Sequence, residues 1–381
     1  MKYVLAFALA AAACDGSAPD QHDLTPPAVI EDLAVRANLQ PPEPPMVAHG
    51  GPTLKAMQLW TLVWAGDEAL GAEIDAFHAA MFASPYWTQS LAEYGVGAGT
   101  ARGVYVIPGA RPKTITQNEE SAIVEGLFAA HEIPETDETV IDFVFGADVV
   151  SFEGQSLANA CNSFSGYHFE TSDPPHHPFL VELPCQDPSK RLSVFDNLTW
   201  TDSHEMAESA TDPHPATDPG WQLGWKLALE VGDMCMVPGQ LDVAGAGPDG
   251  GTRSYTVSRF YSAVAAAHGG LDPCVPAPAG PYFNMGMQPS DVQVAAQGHT
   301  TLNLVAFSTG APQPMSWKAF TVATLTPDHG TAMPGDIIPI TVDAPMFPGL
   351  EGSSFYFVVE ITDPNDDTAA IQAWVGALDI E

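Results

Sequence analysis

Basic residues are the chief scarcity of this sequence: 12 Lys plus Arg stand against 47 Asp plus Glu, a net charge of −35 over 381 residues. A surface so acidic repels phosphate backbones and anionic headgroups, so nucleic acid is excluded as a partner. The plain consequence of such charge is solubility. The apolar run at the N-terminus, Tyr3 to Ala13, is too short to span a bilayer as a helix. The catalytic signatures G-x-S-x-G and G-x-x-x-x-G-K-[ST] are absent. The Gly-rich run Ala244 to Gly251 has no helix signal after it and reads as a turn. Cysteine is sparse, five in all, and its spacings do not suit a Cys-based zinc site.

What is present at the N-terminus has the size of an export signal. Met1-Lys2 carries one positive charge, the apolar run follows, and Ala11-Ala12-Ala13 sits just before Cys14. Cys after small residues resembles a bacterial lipobox. Residues 1–13 then form the signal peptide, Cys14 is acylated, and the mature chain is a membrane-anchored lipoprotein outside the cytoplasm; ordinary secretion is the alternative. The remaining Cys161, Cys185, Cys235 and Cys274 make two disulfides in an exported protein. Closing short loops at lower entropic cost favours Cys161–Cys185 and Cys235–Cys274.

Residues 14–54, polar and then Pro-rich (Pro41, Pro42, Pro44, Pro45), read as a tether. From 55 the pattern alternates between strands and helices. Met57 to Trp64 reads as a strand, and Leu70, Ile74, Phe77 and Met81 recur at helical spacing. Gly103 to Ile107 is a second strand, Asn118 to His131 a helix, and Val140 to Phe145 a strand apolar on nearly every position. Phe179 to Leu183 alternates, with Phe179, Val181 and Leu183 on one face. This predicts an α/β or α+β domain over residues 55–275. His78 and His131 read as surface or packed helix histidines, and His176-His177, flanked by prolines, as exposed turn histidines. After a linker at 276–284, regularly spaced short strands from Asp291 to Leu378 predict an all-β, immunoglobulin-like sandwich over 285–381, an accessory module with no chemistry of its own.

The chemistry concentrates in Ser203-His204-Glu205-Met206-Ala207-Glu208, on a helix expected to start at Asp196 and run to about Ala210. His204 and Glu208, four apart, project from one helix face. With Glu205 beside them they make an HExxE layout, that of an H-E-x-x-H metal site with Glu for the second His, and the helix is expected to be zincin-like. On pattern alone the run also suits an amphipathic surface helix carrying acidic residues. A third ligand is needed, and His214 and Glu230 are the candidates. Glu230 is favoured, with Asp233 one helical turn on and orienting His204. The expected metal ligands are therefore His204, Glu208 and Glu230, with Glu205 as general base and Asp233 in support. The ion is zinc, although Mn²⁺ or Ca²⁺ also suits so oxygen-rich a set.

The block from Ser203 to Pro213, with Gly220-Trp221 and Glu230-Val231-Gly232-Asp233-Met234-Cys235, resembles the phosphate-induced protein family, also called the EXORDIUM family. Its H-E-x-A-E-x-x-T-[ND]-P and E-[IV]-x-D-x-C motifs match these positions. Cys161 with Gly166-Tyr167-His168 resembles its C-G-[FY]-H segment with five residues inserted. The resemblance covers residues 55–275. It implies a secreted, extracellular protein linked to cell-wall growth, and it groups His204, Glu205, Glu208, Glu230 and Asp233, without His214, into one site. The expected activity is that of an exported, peptidase-like metallohydrolase, acting on a peptide or a cell-surface polymer. The alternative is a non-enzymatic surface protein using the same residues as a structural ion site or polar network.

Overall fold

The computed structural model describes residues 40–42, 46–146, 151–187, 191–223, 229–244, 251–344, 352–363 and 366–381. The expected signal peptide and Cys14 lie outside these residues, as does most of the Gly-rich run after Ala244. Among the described residues, no helix is long and apolar enough to cross a membrane.

The first unit is built from β1 (Gln58–Trp64), α1 (Glu68–Phe82), β2 (Thr100–Ile107), α2 (Gln117–Ala129), β3 (Thr139–Val144), β4 (Gly166–Glu170), β5 (Pro178–Glu182) and α3 (Val194–Thr211). The strands form one five-stranded sheet in the order β2-β1-β3-β5-β4, parallel except that β4 runs antiparallel to β5. Helices cover both faces. On one face α2 packs Val124, Leu127 and Phe128 against Leu62, Ile141, Phe143, Phe179 and Val181. On the other, α1 and α3 place Phe77, Met81, Met206 and Ala210 against Leu59, Val140 and Leu180. A parallel sheet clad on both sides has no wet face, and every residue of β3 and β5 is buried. The alternation expected of Phe179 to Leu183 is therefore replaced by burial on both faces.

Among the described residues the second unit is a nine-stranded sandwich: β6 (Phe283–Gln288), β7 (Asp291–Val294), β8 (His299–Ser308), β9 (Met315–Phe320), β10 (Thr324–Thr326), β11 (His329–Ala332), β12 (Ile337–Asp343), β13 (Ser353–Asp363) and β14 (Asp366–Ile380). One sheet runs β6-β8-β12-β10 and the other β7-β14-β13-β9-β11. Met285, Leu304, Trp317, Ile340, Phe357 and Trp374 fill the space between them. The first strand opens at Phe283, inside the stretch read as linker.

The end of the expected tether is part of the fold. Met46–Ala48 pairs antiparallel with Trp221–Leu223, Leu54 is buried, and the Pro42 carbonyl accepts from Trp374 Nε1 at 3.3 Å. The two disulfides are Cys161–Cys185 and Cys235–Cys274. They fit an oxidising compartment, and the protein is extracytoplasmic.

Candidate functional site

Helix α3 begins one turn earlier than its sequence pattern indicates. Ser193 is the N-cap, and Asp196 sits at the third helical position, closing a capping box with it. The helix is no amphipathic surface element. Polar and apolar residues alike are buried along it, from Asn197 to Thr211. A buried polar helix needs internal partners, and several of its side chains have them. Asn197 donates to the Cys185 carbonyl at 3.2 Å, Thr199 to the Thr256 carbonyl at 2.7 Å, and Ser203 Oγ accepts from the Ser258 amide at 2.7 Å. These bonds fix the rotation of the helix and so aim His204, Glu205 and Glu208.

Glu208 is the hub. Its Oε1 lies 3.0 Å from His204 Nε2 and accepts from the Asp233 amide at 3.2 Å. Its Oε2 lies 3.5 Å from His168 Nδ1. Glu205 Oε2 is also 3.5 Å from His168 Nδ1, and Glu230 Oε2 is 3.5 Å from the ring's other nitrogen. Asp233 Oδ1 stands 3.6 Å from His204 Nε2. His204 and Asp233 are partly open, at 21% and 26% side-chain exposure, and so mark the solvent entrance; the other four are buried.

The structure thus brings together all five residues read from the sequence, but in another arrangement. His204 and Glu208 meet as expected. The third group on the same ring nitrogen is Asp233, expected only to support; Glu230, expected as the ligand, faces His168. The cause is local. Residues 231–234 form a turn instead of a helix, and the Glu230 amide donates to Asp233 Oδ2 at 3.1 Å, which swings the two carboxylates to different imidazoles. His214 pairs with Glu170 at 3.1 Å, apart from this cluster. His177, expected in an exposed turn, is buried against the Phe128 ring.

His168 is the member that pattern reading did not assign. It lies on β4, where Gly166, His168 and Glu170 alternate inward, and that period was the available signal. Helical spacing carries no information about a residue on a strand.

Burial alone would lower both imidazoles, but the carboxylates outweigh it. Glu230, Glu205 and Glu208 hold His168 well above the ordinary histidine value, and Glu208, with Asp233, does the same for His204. In return Glu208, which burial would raise, is held down to about 2 by His204 and His168. Burial pushes Glu205, Glu230 and Asp233 up. A Tyr356 phenol from β13 lies near enough for Asp233, Glu208 and Glu230 to add to the upward push of its own burial. The sandwich therefore approaches the site and is more than a spacer.

Two triplets present metal-ligating atoms within 4.8 Å of one another: His204, Glu208 and Asp233, and His168, Glu205 and Glu208. A tetrahedral ion with bonds near 2.0–2.1 Å separates its ligand atoms by about 3.4 Å. The observed separations of 3.0 and 3.6 Å in the first triplet, and 3.5 Å in the second, match that edge. One Glu230 oxygen is buried without a hydrogen-bond partner. One nitrogen and two oxygens in each triplet suit zinc or manganese.

No protein-family model and no curated protein matches the chain. Among solved structures it is similar to a class 5 fimbrial chaperone, CfaA, at 10% identity and a TM-score of 0.21, over 26% of this chain and 57% of that one. It is also similar to domains 4 and 5 of the S-layer protein SbsC, at 12% identity and a TM-score of 0.20, over 38% of this chain and 66% of that one. The E. coli chaperone DraB matches at 13% identity and a TM-score of 0.20, over 26% and 53%. The chain spans little more than half the length of these chaperones, and likenesses of this size carry no argument about its function.

Proposed function

We propose that the protein is an exported metal-dependent hydrolase, peptidase-like in its chemistry. The carrying observation is the spacing around Glu208, where two imidazoles and three further carboxylates converge at separations that suit an ion's ligand shell. His204, Glu208 and Asp233 would hold the ion at the open edge. When bound, zinc supplies Lewis-acid polarisation of a substrate carbonyl. Glu205, buried and raised in pKa, is suited to take the proton from an attacking water and return it to the leaving amine. His168 fixes Glu205 and Glu208 from behind, and Glu230 fixes His168.

The wider reading follows from the sequence. On this reading Cys14 anchors the chain to a membrane through lipid, the helix-borne site is zincin-like, the sandwich is immunoglobulin-like, and the substrate is a peptide or a cell-surface polymer outside the cell, as the resemblance to the EXORDIUM family implies. Each of these is a proposal supported by the motifs quoted above.

One observation favours a second reading. The 3.0 Å contact between His204 and Glu208 is itself a charge-assisted hydrogen bond that needs no ion, so the cluster could serve as a polar network in a non-enzymatic surface protein. Metal analysis of the purified protein separates the two, with hydrolysis of a casein or peptide-library substrate as the second readout. Glu205→Gln should retain the ion and lose at least 10²-fold in rate, the usual span of a general base. His204→Ala should lose the ion. A wild-type protein that binds no zinc or manganese, or hydrolyses nothing with the ion bound, returns the site to the network reading.

A further inference from the structure

On the face of the sheet beneath α1 and α3, the apolar packing is interrupted by a second set of ionisable groups. Thr61 of β1 and Asp142 of β3 are register partners, Glu182 sits on β5, His78 comes down from α1 and Asp202 from α3. All five are completely buried. His78 Nδ1 lies 3.1 Å from Thr61 Oγ1, and its Nε2 lies 2.8 Å from Asp202 Oδ2 and 3.5 Å from Asp142 Oδ2. Both oxygens of Asp142, both of Glu182 and one of Asp202 have no hydrogen-bond partner. Among the described residues, no lysine or arginine pairs with any of the three carboxylates.

Isolated buried carboxylates are not tolerated at full charge, and a buried polar atom without a partner is destabilising. An Nε2–H on His78 satisfies Asp202 and leaves Asp142 and Glu182 unmet. A proton on either carboxyl cancels its charge but still leaves its carbonyl oxygen without a donor. A divalent cation neutralises two carboxylates and satisfies several of these oxygens together. The tautomer also fits. With Nδ1–H donating to Thr61, the Nε2 lone pair faces the carboxylates, the usual arrangement of a ligating histidine held by a partner behind it.

We propose that His78 Nε2, Asp142 and Asp202 form a second divalent-cation site, buried between the sheet and helices α1 and α3 and separate from the open site at His204. Their ligating atoms lie within 4.8 Å of one another. One imidazole and two carboxylates suit zinc or manganese, and Glu182 lies on the neighbouring strand of the same face. With every ligand shielded from water, the ion is structural. It ties β3 to both helices of this face, and it exchanges only when the domain opens.

The test is metal content of the purified full-length chain, refolded with zinc chloride and then dialysed against EDTA. One zinc per chain should survive the chelator in wild type and in His204→Ala, while any ion at the open site is stripped. Asp142→Asn and His78→Gln should lose the resistant ion. If neither variant folds, wild type refolded in EDTA supplies the readout: its thermal midpoint should fall below that of the zinc-refolded chain. Absence of a chelator-resistant ion from wild type, its retention in folded Asp142→Asn, or equal midpoints with and without zinc overturns the proposal. Failure of the open site alone removes only the labile ion, so the two readings fail separately.

Discussion

Glu208 carries more of the candidate site than either of its histidines, because one carboxylate serves both rings and the turn that bears Asp233. Glu208→Gln keeps the shape but halves the ligating character of the group and removes the charge that holds both imidazoles up. Its zinc affinity should fall by 10²-fold or more in a competition titration, whereas Glu230→Gln, one contact removed, should cost about 10–100-fold as an outer partner does. Equal losses would make Glu230 a ligand, as the sequence pattern first indicated. A second carboxyl gives a prediction free of metal. Burial raises Glu120 to about 8, only partly opposed by the hydrogen bond from the Tyr167 hydroxyl. The folded protein therefore holds this proton longer than the unfolded chain does, and stability is lost as pH climbs from about 4.5 to about 8. Glu120→Gln should match wild type near pH 4 and exceed it at pH 8, by an amount on the order of a few kcal/mol, in urea unfolding at the two pH values. An unchanged slope would show that Glu120 is ionised in the fold.

The turn from Glu230 to Asp233 shows how an element holds a site. Gly232 lets it pass close to helix α3, since a Cβ there would lie 2.7–2.8 Å from the His204 ring. Gly232→Ala should therefore displace the imidazole and weaken zinc binding by roughly 10-fold or more, with the far-UV spectrum and both disulfides intact. Unchanged affinity would mean that the ring adjusts freely. The same elements explain what could be read in advance. Strands of buried apolar residues and the i, i+4 pair on α3 were legible because burial and helix geometry leave periodic marks. β6 opens inside the stretch read as linker, but six sandwich strands, β7, β8, β9, β12, β13 and β14, were legible for the same reason. The short β10 and β11 were not, having too few residues to show a period. His168 was hidden because its partners come from a helix and a turn, joined only by the tertiary fold. Asp142 carries a visible signal as the single charged residue of a wholly buried strand, one that hydrophobicity alone does not register.

At the scale of the whole chain, the two units meet over a buried cation. Arg259 donates from Nε to the Pro276 carbonyl at 3.2 Å and from Nη1 to Gln372 on β14 at 3.3 Å, while Nη2 serves Asp272 and the Cys274 carbonyl. Val375 and Ala377 of β14 and Tyr356 of β13 pack into the core of the first unit beside it. This contact sets Tyr356 near Asp233, and the Cys235–Cys274 bridge ties the Asp233 turn to the same junction. Truncating one partner of a buried pair leaves the other charge unmet, at about 3–5 kcal/mol, and burial already pushes Asp272 up despite Arg259. Arg259→Ala should therefore convert a single guanidinium unfolding transition into two and expose the segment from Pro276 to Pro281 to limited proteolysis. It should also weaken zinc at His204 although it touches none of the ligands. If the variant still unfolds in one step with its midpoint unmoved, the sandwich is held by its apolar contacts, and the geometry around Asp233 owes nothing to the arginine.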